Sequence, residues 1–132
     1  MPALDTEVLF ALSPNDRKHH QAIHLLGSRR DLVATDVCLL EFMAVLRARG
    51  RSSAETSEAM LDVGAVLREH GVEEVGTVTS SLVALQCELE SKYGLSFYDS
   101  FLAASALSLD SAIVSDDTAF DRVPGLSRVP LR

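Results

Sequence analysis

Short apolar runs set between helix-length segments restrict the fold of this chain more than any other feature. Ala3-Leu4 before Asp5, Leu32-Val33-Ala34, Val72 to Val78 and Ala112-Ile113-Val114 each suit one short strand. The stretches between them carry helix signals. Ser13-Pro14-Asn15 predicts the start of a helix that runs to about Leu26 and closes at Gly27. Thr35 or Asp36 caps a second helix, which ends near Gly50. Ser52 with Glu55 makes a capping-box pattern for a third, closed by Gly71. Ser80 opens a fourth that ends at Gly94, and Ser96 a fifth that runs to about Ser108. The tail, with Pro124, Gly125 and Pro130, reads as turns. Strands alternating with helices predict an α/β fold, a central parallel sheet of four to five short strands with helices on both faces. The 132 residues show no repeat and no linker, so a single domain, 1–132, is expected. A chain of this size with 47% apolar residues builds a core without a disulfide or metal staple.

Cys38 and Cys87 are isolated and read as buried thiols in a reducing compartment. Asp5 and Glu7 make the first residues unlike a signal peptide, and no uncharged stretch is long enough to span a bilayer. A cytoplasmic location is therefore expected. His20 and His24, four apart, would supply half a zinc site, but no HExxH pattern accompanies them and a solvated helix face is the expectation.

The formal charge of −7 excludes a general basic nucleic-acid binder, and 5% aromatics with no Trp argue against a base-stacking platform. The charge is uneven. Residues 52–121 hold thirteen acids against two bases, whereas residues 1–51 are close to balance. Ten of the twelve cations are arginine, with Arg47, Arg49 and Arg51 in one run. Taken alone, Arg47 and Arg49 read as solvated residues at a helix C-terminus, where cations favour the macrodipole.

The acids sit at positions of interest. In parallel sheets, functional groups gather beyond the carboxyl ends of the strands. Asp5 follows the first predicted strand, Asp36 and Glu41 follow the second, and Asp116 and Asp117 follow the last. Glu41 lies in a segment, Val37 to Leu46, that is apolar on nearly every side and so predicts a buried helix. A carboxylate there must be paired, protonated or bound to a metal. Asp99 is similarly surrounded by Leu95, Leu102 and Ala103, although Ser96-x-x-Asp99 also fits a capping box. Asp5 suits an N-cap, and Asp116-Asp117 a polar turn, when each is read alone. Together the five acids need compensation, and a divalent cation is the simplest. An oxygen-only ligand set favours Mg²⁺ or Mn²⁺ over Zn²⁺.

Taken with its motifs, the chain resembles the PIN domain family, small metal-dependent nucleases that include VapC-type toxins. ALDTEVLFAL carries Asp5, TDVCLLEFMAVL carries Glu41, LSFYDSFLAASAL carries Asp99, and IVSDDTAFDRVPGL carries Asp117. The resemblance covers nearly the whole chain and implies a PIN-like three-layer fold. Glu7 departs from it, standing where the family often has Asn, and Asp116 adds an acid beside Asp117. Asp121 is a further candidate.

The resemblance implies an Mg²⁺- or Mn²⁺-dependent endoribonuclease with Asp5, Asp99 and Asp117 as metal ligands, and Asp116 as an alternative to Asp117. Glu41 would position water or act as general base. Arg47, Arg49 and Arg51, or arginines of the tail, would hold substrate phosphates. RNA substrate, a homodimer and an antitoxin partner are implied in the same way. Two alternatives remain at this point. A HAD-like phosphatase also uses Asp on a first strand, but Glu7 occupies the place of its second Asp and only Lys18 and Lys92 could serve as its lysine. A non-catalytic PIN-like module that binds RNA or protein is the other. Setting aside Asp5, Glu41, Asp99, Asp116 and Asp117 leaves fourteen acids against twelve bases, so much of the net charge is concentrated in the candidate site.

Overall fold

The central strand of the sheet is also its shortest. The computed structural model describes residues 1–132 and contains five strands: β1 (Ala3–Leu4), β2 (Val33–Thr35), β3 (Glu73–Val75), β4 (Ala112–Val114) and β5 (Ser127–Val129). They form one sheet in the order β3-β2-β1-β4-β5, with every pairing parallel. Ala3 lies opposite Val33 on one side and Ile113 on the other. Ala3, Leu4, Val33, Ala34, Ile113 and Val114 are all buried, which is why these strands read as continuous apolar runs rather than alternating ones.

Helices α1 (Thr6–Ala11), α2 (His19–Ser28), α3 (Asp36–Ala48) and α4 (Ser53–Glu69) connect β1, β2 and β3. α5 (Ser80–Tyr93) and α6 (Phe97–Leu107) return the chain from β3 to β4. Right-handed crossovers in opposite directions lay helices on both faces of the sheet, and α3 of the first group also meets α6 of the second. α1 packs on α2 and α3, α3 on α4, and α5 along α6. No helix is long and apolar enough to cross a membrane.

The strand order reverses between β1 and β4. Chain leaving β1 turns toward β2, whereas chain leaving β4 turns toward β5. A crevice opens beyond the carboxyl ends at such a switch point. Asp5 ends β1 and Ser115 ends β4, so the topology puts the residues after these two strands side by side at that crevice.

Several local expectations are met in detail. Ser52 and Glu55 form both halves of the capping box of α4, with the Glu55 amide donating to Ser52 Oγ at 3.1 Å and the Ser52 amide to Glu55 Oε1 at 2.9 Å. Gly94 ends α5 at φ 65°, a left-handed conformation suited to glycine. Others are corrected. The helix expected from Ser13 begins at His19 and passes through Gly27 to Ser28. Ser13 to Lys18 form turns instead, in which the Lys18 amide donates to Asp16 Oδ1 at 2.8 Å. Thr6-Glu7-Val8 opens α1, a helix absent from those expected. The tail, expected as turns, contributes β5. Cys38 is buried, but Cys87 is exposed. α3 is not buried all round: Leu40 is 50% and Met43 39% exposed, because no element of the chain covers that face.

Asp36 illustrates how an acid after a strand can be purely architectural. Oδ1 accepts hydrogen bonds from the Val37 and Thr77 amides and the Thr77 hydroxyl, and Oδ2 accepts one from the Val78 amide. Burial would raise its pKa, but the hydrogen bonds from Thr77, Val78 and Val37 outweigh it and hold the carboxyl below its usual value. These bonds fix the chain leaving β3 to the start of α3. Asp36→Ala is expected to destabilise the fold by about 2 kcal/mol in urea titrations at pH 7. Its carboxylate contribution fades as pH falls through the depressed folded-state pKa, so wild type and variant should converge in acid.

Candidate active site

Three acids of the crevice are tied to the strand ends or to the helices beside them by hydroxyl groups. Asp5 is 7% exposed, and its amide continues the sheet by donating to Val114 O at 3.0 Å. Its side chain makes no N-cap bond to α1. Oδ2 instead accepts a 2.6 Å hydrogen bond from the fully buried Ser115 hydroxyl, which in turn accepts from the Asp117 amide at 2.9 Å. One hydroxyl thus joins the end of β1 to the residues after β4. Glu41 comes from the second turn of α3, half-buried, with Oε1 accepting a 2.5 Å hydrogen bond from the Thr6 hydroxyl at the start of α1.

Asp99 stands in the first turn of α6. Its amide donates to Ser96 Oγ at 3.2 Å, which forms only the serine half of a capping box. The following Ser100 anchors this turn. Its buried hydroxyl donates to the Ser96 and Phe97 carbonyls and accepts from Gln86 Nε2 of α5 at 3.0 Å. Gln86 is 2% exposed, so a buried polar bridge between two helices sets the angle at which α6 presents Asp99.

Electrostatics join these side chains into one set. Burial pushes the Asp5 carboxyl up to about 7, opposed by the Ser115 hydrogen bond and reinforced by the charges of Glu7, Asp99 and Glu41. Burial likewise raises Glu41, against the Thr6 hydrogen bond, with Asp99 adding to the rise. Asp99 is raised first by burial; the Ser96 hydroxyl and Arg122 lower it, while Asp117 and Glu7 raise it. No three of the acids, histidines or cysteines close to ion-ligand spacing as they stand. The donor chemistry nevertheless suits a hard divalent cation: oxygen ligands only, one of them a buried carboxyl whose charged form an adjacent cation would favour.

The family profile of the PIN domain matches residues 3–126. The chain belongs to the PIN domain family. Its fold is shared with solved toxin structures. *Mycobacterium tuberculosis* VapC20, a toxin that cleaves the sarcin-ricin loop, superposes with a TM-score of 0.71 at 20% identity, covering 92% of this chain and 93% of that one. *Rickettsia felis* VapBC2 bound to a promoter DNA fragment gives 0.69 at 16% identity over 97% and 96% of the two chains. A toxin–antitoxin complex from *Klebsiella pneumoniae* gives 0.69 at 15% identity over 100% and 98%. A search of curated proteins finds no match. PIN family membership takes the place of the HAD-type alternative.

The remaining sequence candidates of this PIN domain separate clearly. Both carboxylate oxygens of Asp116 are already engaged: Oδ2 meets Lys18 Nζ at 3.0 Å and Oδ1 accepts from the Leu131 amide at 3.0 Å. That amide and the Lys18 charge hold its carboxyl below the usual range. Of the pair, Asp117 is the one whose charge reaches Asp99. Asp121 is paired with Arg128 through Nε at 3.0 Å and Nη2 at 3.2 Å. Arg49 and Arg51 lie elsewhere. Arg49 is eight residues beyond Glu41, about 12 Å along a helical rise, and its guanidinium rests 4.9 Å from the Phe10 ring centre. Arg49 and Arg51 line a groove of about 750 Å³ whose walls include Phe42, Val63 and His70 but none of the four site acids.

Two positioning hydroxyls escaped the sequence reading, whereas Arg122 is one of the tail arginines it offered. Ser115 and Thr6 bond their carboxylates across 110 and 35 residues, so no local pattern marks them. Their visible trace is their place beside candidate acids, Thr6 next to Asp5 and Ser115 two residues before Asp117. Arg122, at the end of the short 3-10 helix Thr118–Arg122, is the cation whose charge acts on Asp99, and its Nη1 donates to Gly94 O at 3.3 Å.

Proposed function

We propose that this PIN domain is an endoribonuclease that uses Mg²⁺ or Mn²⁺ to hydrolyse RNA phosphodiester bonds, and that it is the toxin of a toxin–antitoxin pair. The observation that carries this reading is the buried Asp5 carboxyl, pushed up to about 7, at a strand-order switch point where Glu41 and Asp99 add their charges. Asp5, Asp99 and Asp117 are the residues that would hold the ion. Such an ion, when bound, acidifies a water and neutralises charge on the phosphodiester.

The chain's own groups supply the rest. Ser115 fixes Oδ2 of Asp5 and the Asp117 amide with one hydroxyl, which sets the spacing of these two acids. Thr6 holds Oε1 of Glu41, so Oε2 is the atom that takes a proton from the attacking water. Arg122, beside Asp99, is the cation assigned to the substrate phosphate, a planar fork well matched to its oxygens. That assignment replaces Arg47, Arg49 and Arg51. The likeness to toxin–antitoxin complexes supports an antitoxin partner, and a homodimer acting in the cytoplasm belongs to the same proposal.

Incubation of purified protein with a labelled RNA pool tests the reaction. Cleavage is expected with Mn²⁺ or Mg²⁺ and should disappear with EDTA and in Asp99→Asn. Undiminished cleavage by Asp99→Asn would assign the activity to another site or to a contaminant.

A further inference from the structure

Two acids on the rim of the site are arranged differently from the rest. Glu7 and Asp116 each commit one carboxylate oxygen to a backbone amide. Glu7 Oε1 accepts from the Asp116 amide at 2.7 Å, and Asp116 Oδ1 accepts from the Leu131 amide at 3.0 Å. Their other oxygens share a single ammonium. Lys18 Nζ stands 3.0 Å from Asp116 Oδ2 and 3.6 Å from Glu7 Oε2. Lys18 is one of only two lysines in the chain, and its side chain is 23% exposed, so it is held against the protein rather than free in solvent. Its backbone is fixed as well, by the turn bond from its amide to Asp16.

This ammonium bridges the neighbours of two candidate ion ligands, since Glu7 lies two residues beyond Asp5 and Asp116 immediately precedes Asp117. The Asp116 amide is bonded to Glu7 and the Asp117 amide to the Ser115 hydroxyl that holds Asp5, so the Lys18 pair adjoins the candidate ligands rather than forming a separate surface bridge. A lysine ammonium is a compact point charge, closer to a small cation than a guanidinium is. Nucleases that clamp a phosphodiester with two ions need carboxylate oxygens for both. Here the oxygens that would receive a second ion are already occupied from within the chain.

We infer that Lys18 is a resident cation that fills the second cation position of the acidic cluster and limits the site to one divalent ion per chain. The inference rests on the reading of Asp5, Glu41, Asp99 and Asp117 as a divalent-ion site. Removing the ammonium leaves the outer oxygens of Glu7 and Asp116 without their shared counter-charge, and a second divalent ion is then the available compensation. Replacing Lys18 by arginine keeps the charge and the count.

Mn²⁺ binding to the full chain, read by the loss of the free-ion electron paramagnetic resonance signal, tests this without any activity measurement. Wild type and Lys18→Arg are expected to bind one Mn²⁺ per chain, and Lys18→Met two. Adding Glu7→Gln to Lys18→Met should return the count to one. One ion in both wild type and Lys18→Met, or two in wild type, would overturn the inference and leave the nuclease reading intact. No ion in wild type would overturn the nuclease reading, and this inference with it. Thermal melts accompany each titration, and Lys18→Gln, with the same expected count as Lys18→Met, serves if the methionine variant does not fold. Failure of both to fold would make Lys18 a structural bridge and overturn the assignment.

Discussion

Asp5→Asn is expected to abolish RNA cleavage and at the same time to make the ion-free protein more stable at pH 8. The two effects have one cause. The folded chain holds the Asp5 proton up to about pH 7, whereas an unfolded aspartate loses it near 3.8. Below pH 4 both states carry the proton and the fold pays no penalty. As pH rises from 4 to 7 the unfolded chain releases its proton first, so stability falls across that window and levels off above it. The fall amounts to on the order of 4 kcal/mol, or roughly 15 °C in melting temperature for a chain of this size. Asparagine has the shape of the protonated acid and carries no charge, so the pH-dependent loss should vanish in the variant. Added Mn²⁺ should stabilise wild type by about 2.7 kcal/mol at one hundred times its dissociation constant, and Asp5→Asn far less. Melting curves at pH 5 and pH 8, with EDTA or Mn²⁺, check all of this. Equal melting temperatures for wild type and variant at pH 8 in EDTA would show that Asp5 is not a strained acid.

Glu41→Gln is expected to lower the rate constant for cleavage by about 10²- to 10⁴-fold, the usual scale for a lost general base. Thr6 can still donate to the amide oxygen, so the melting temperature should change little. Thr6→Val separates position from charge. Without the Thr6 hydrogen bond, Glu41 loses a group that lowers its pKa, while burial and Asp99 continue to raise it. The acidic limb of the pH–rate profile should therefore move to higher pH in Thr6→Val, with activity recovering once Glu41 ionises. A limb that stays in place would remove Glu41 from the role of base.

Sequence legibility followed the range of the interactions. β4 was readable to the residue because Ala112-Ile113-Val114 is wholly apolar, and α4 because its capping box lies within four consecutive residues. β5 was not, because Ser127-Arg128-Val129 has no apolar run and takes its strand form from pairing with β4. α1 is six residues long, too short for helical periodicity to show. Among the acids, Asp5, Glu41 and Asp99 were visible because charge in an apolar setting is conspicuous. Asp116 and Asp117 were inseparable in sequence, since adjacent side chains after a strand leave in different directions and only Lys18 and Leu131 reveal where the first one goes. The arginine run Arg47 to Arg51 was conspicuous for its charge density, yet a helix carries it away from the strand ends.

The parallel pairing of β1 with β4 also governs when the site comes into being. Asp5 and the serine that orients it are 110 residues apart, and Asp99 and Asp117 lie in the last third of the chain. During synthesis the emerging polypeptide carries Asp5 and Glu41 for most of its length without the strand that completes their surroundings. β1 cannot acquire its second neighbour until β4 has left the ribosome. For a protein whose proposed substrate is RNA, this order of assembly leaves the acidic site incomplete on the nascent chain until β4 has paired with β1.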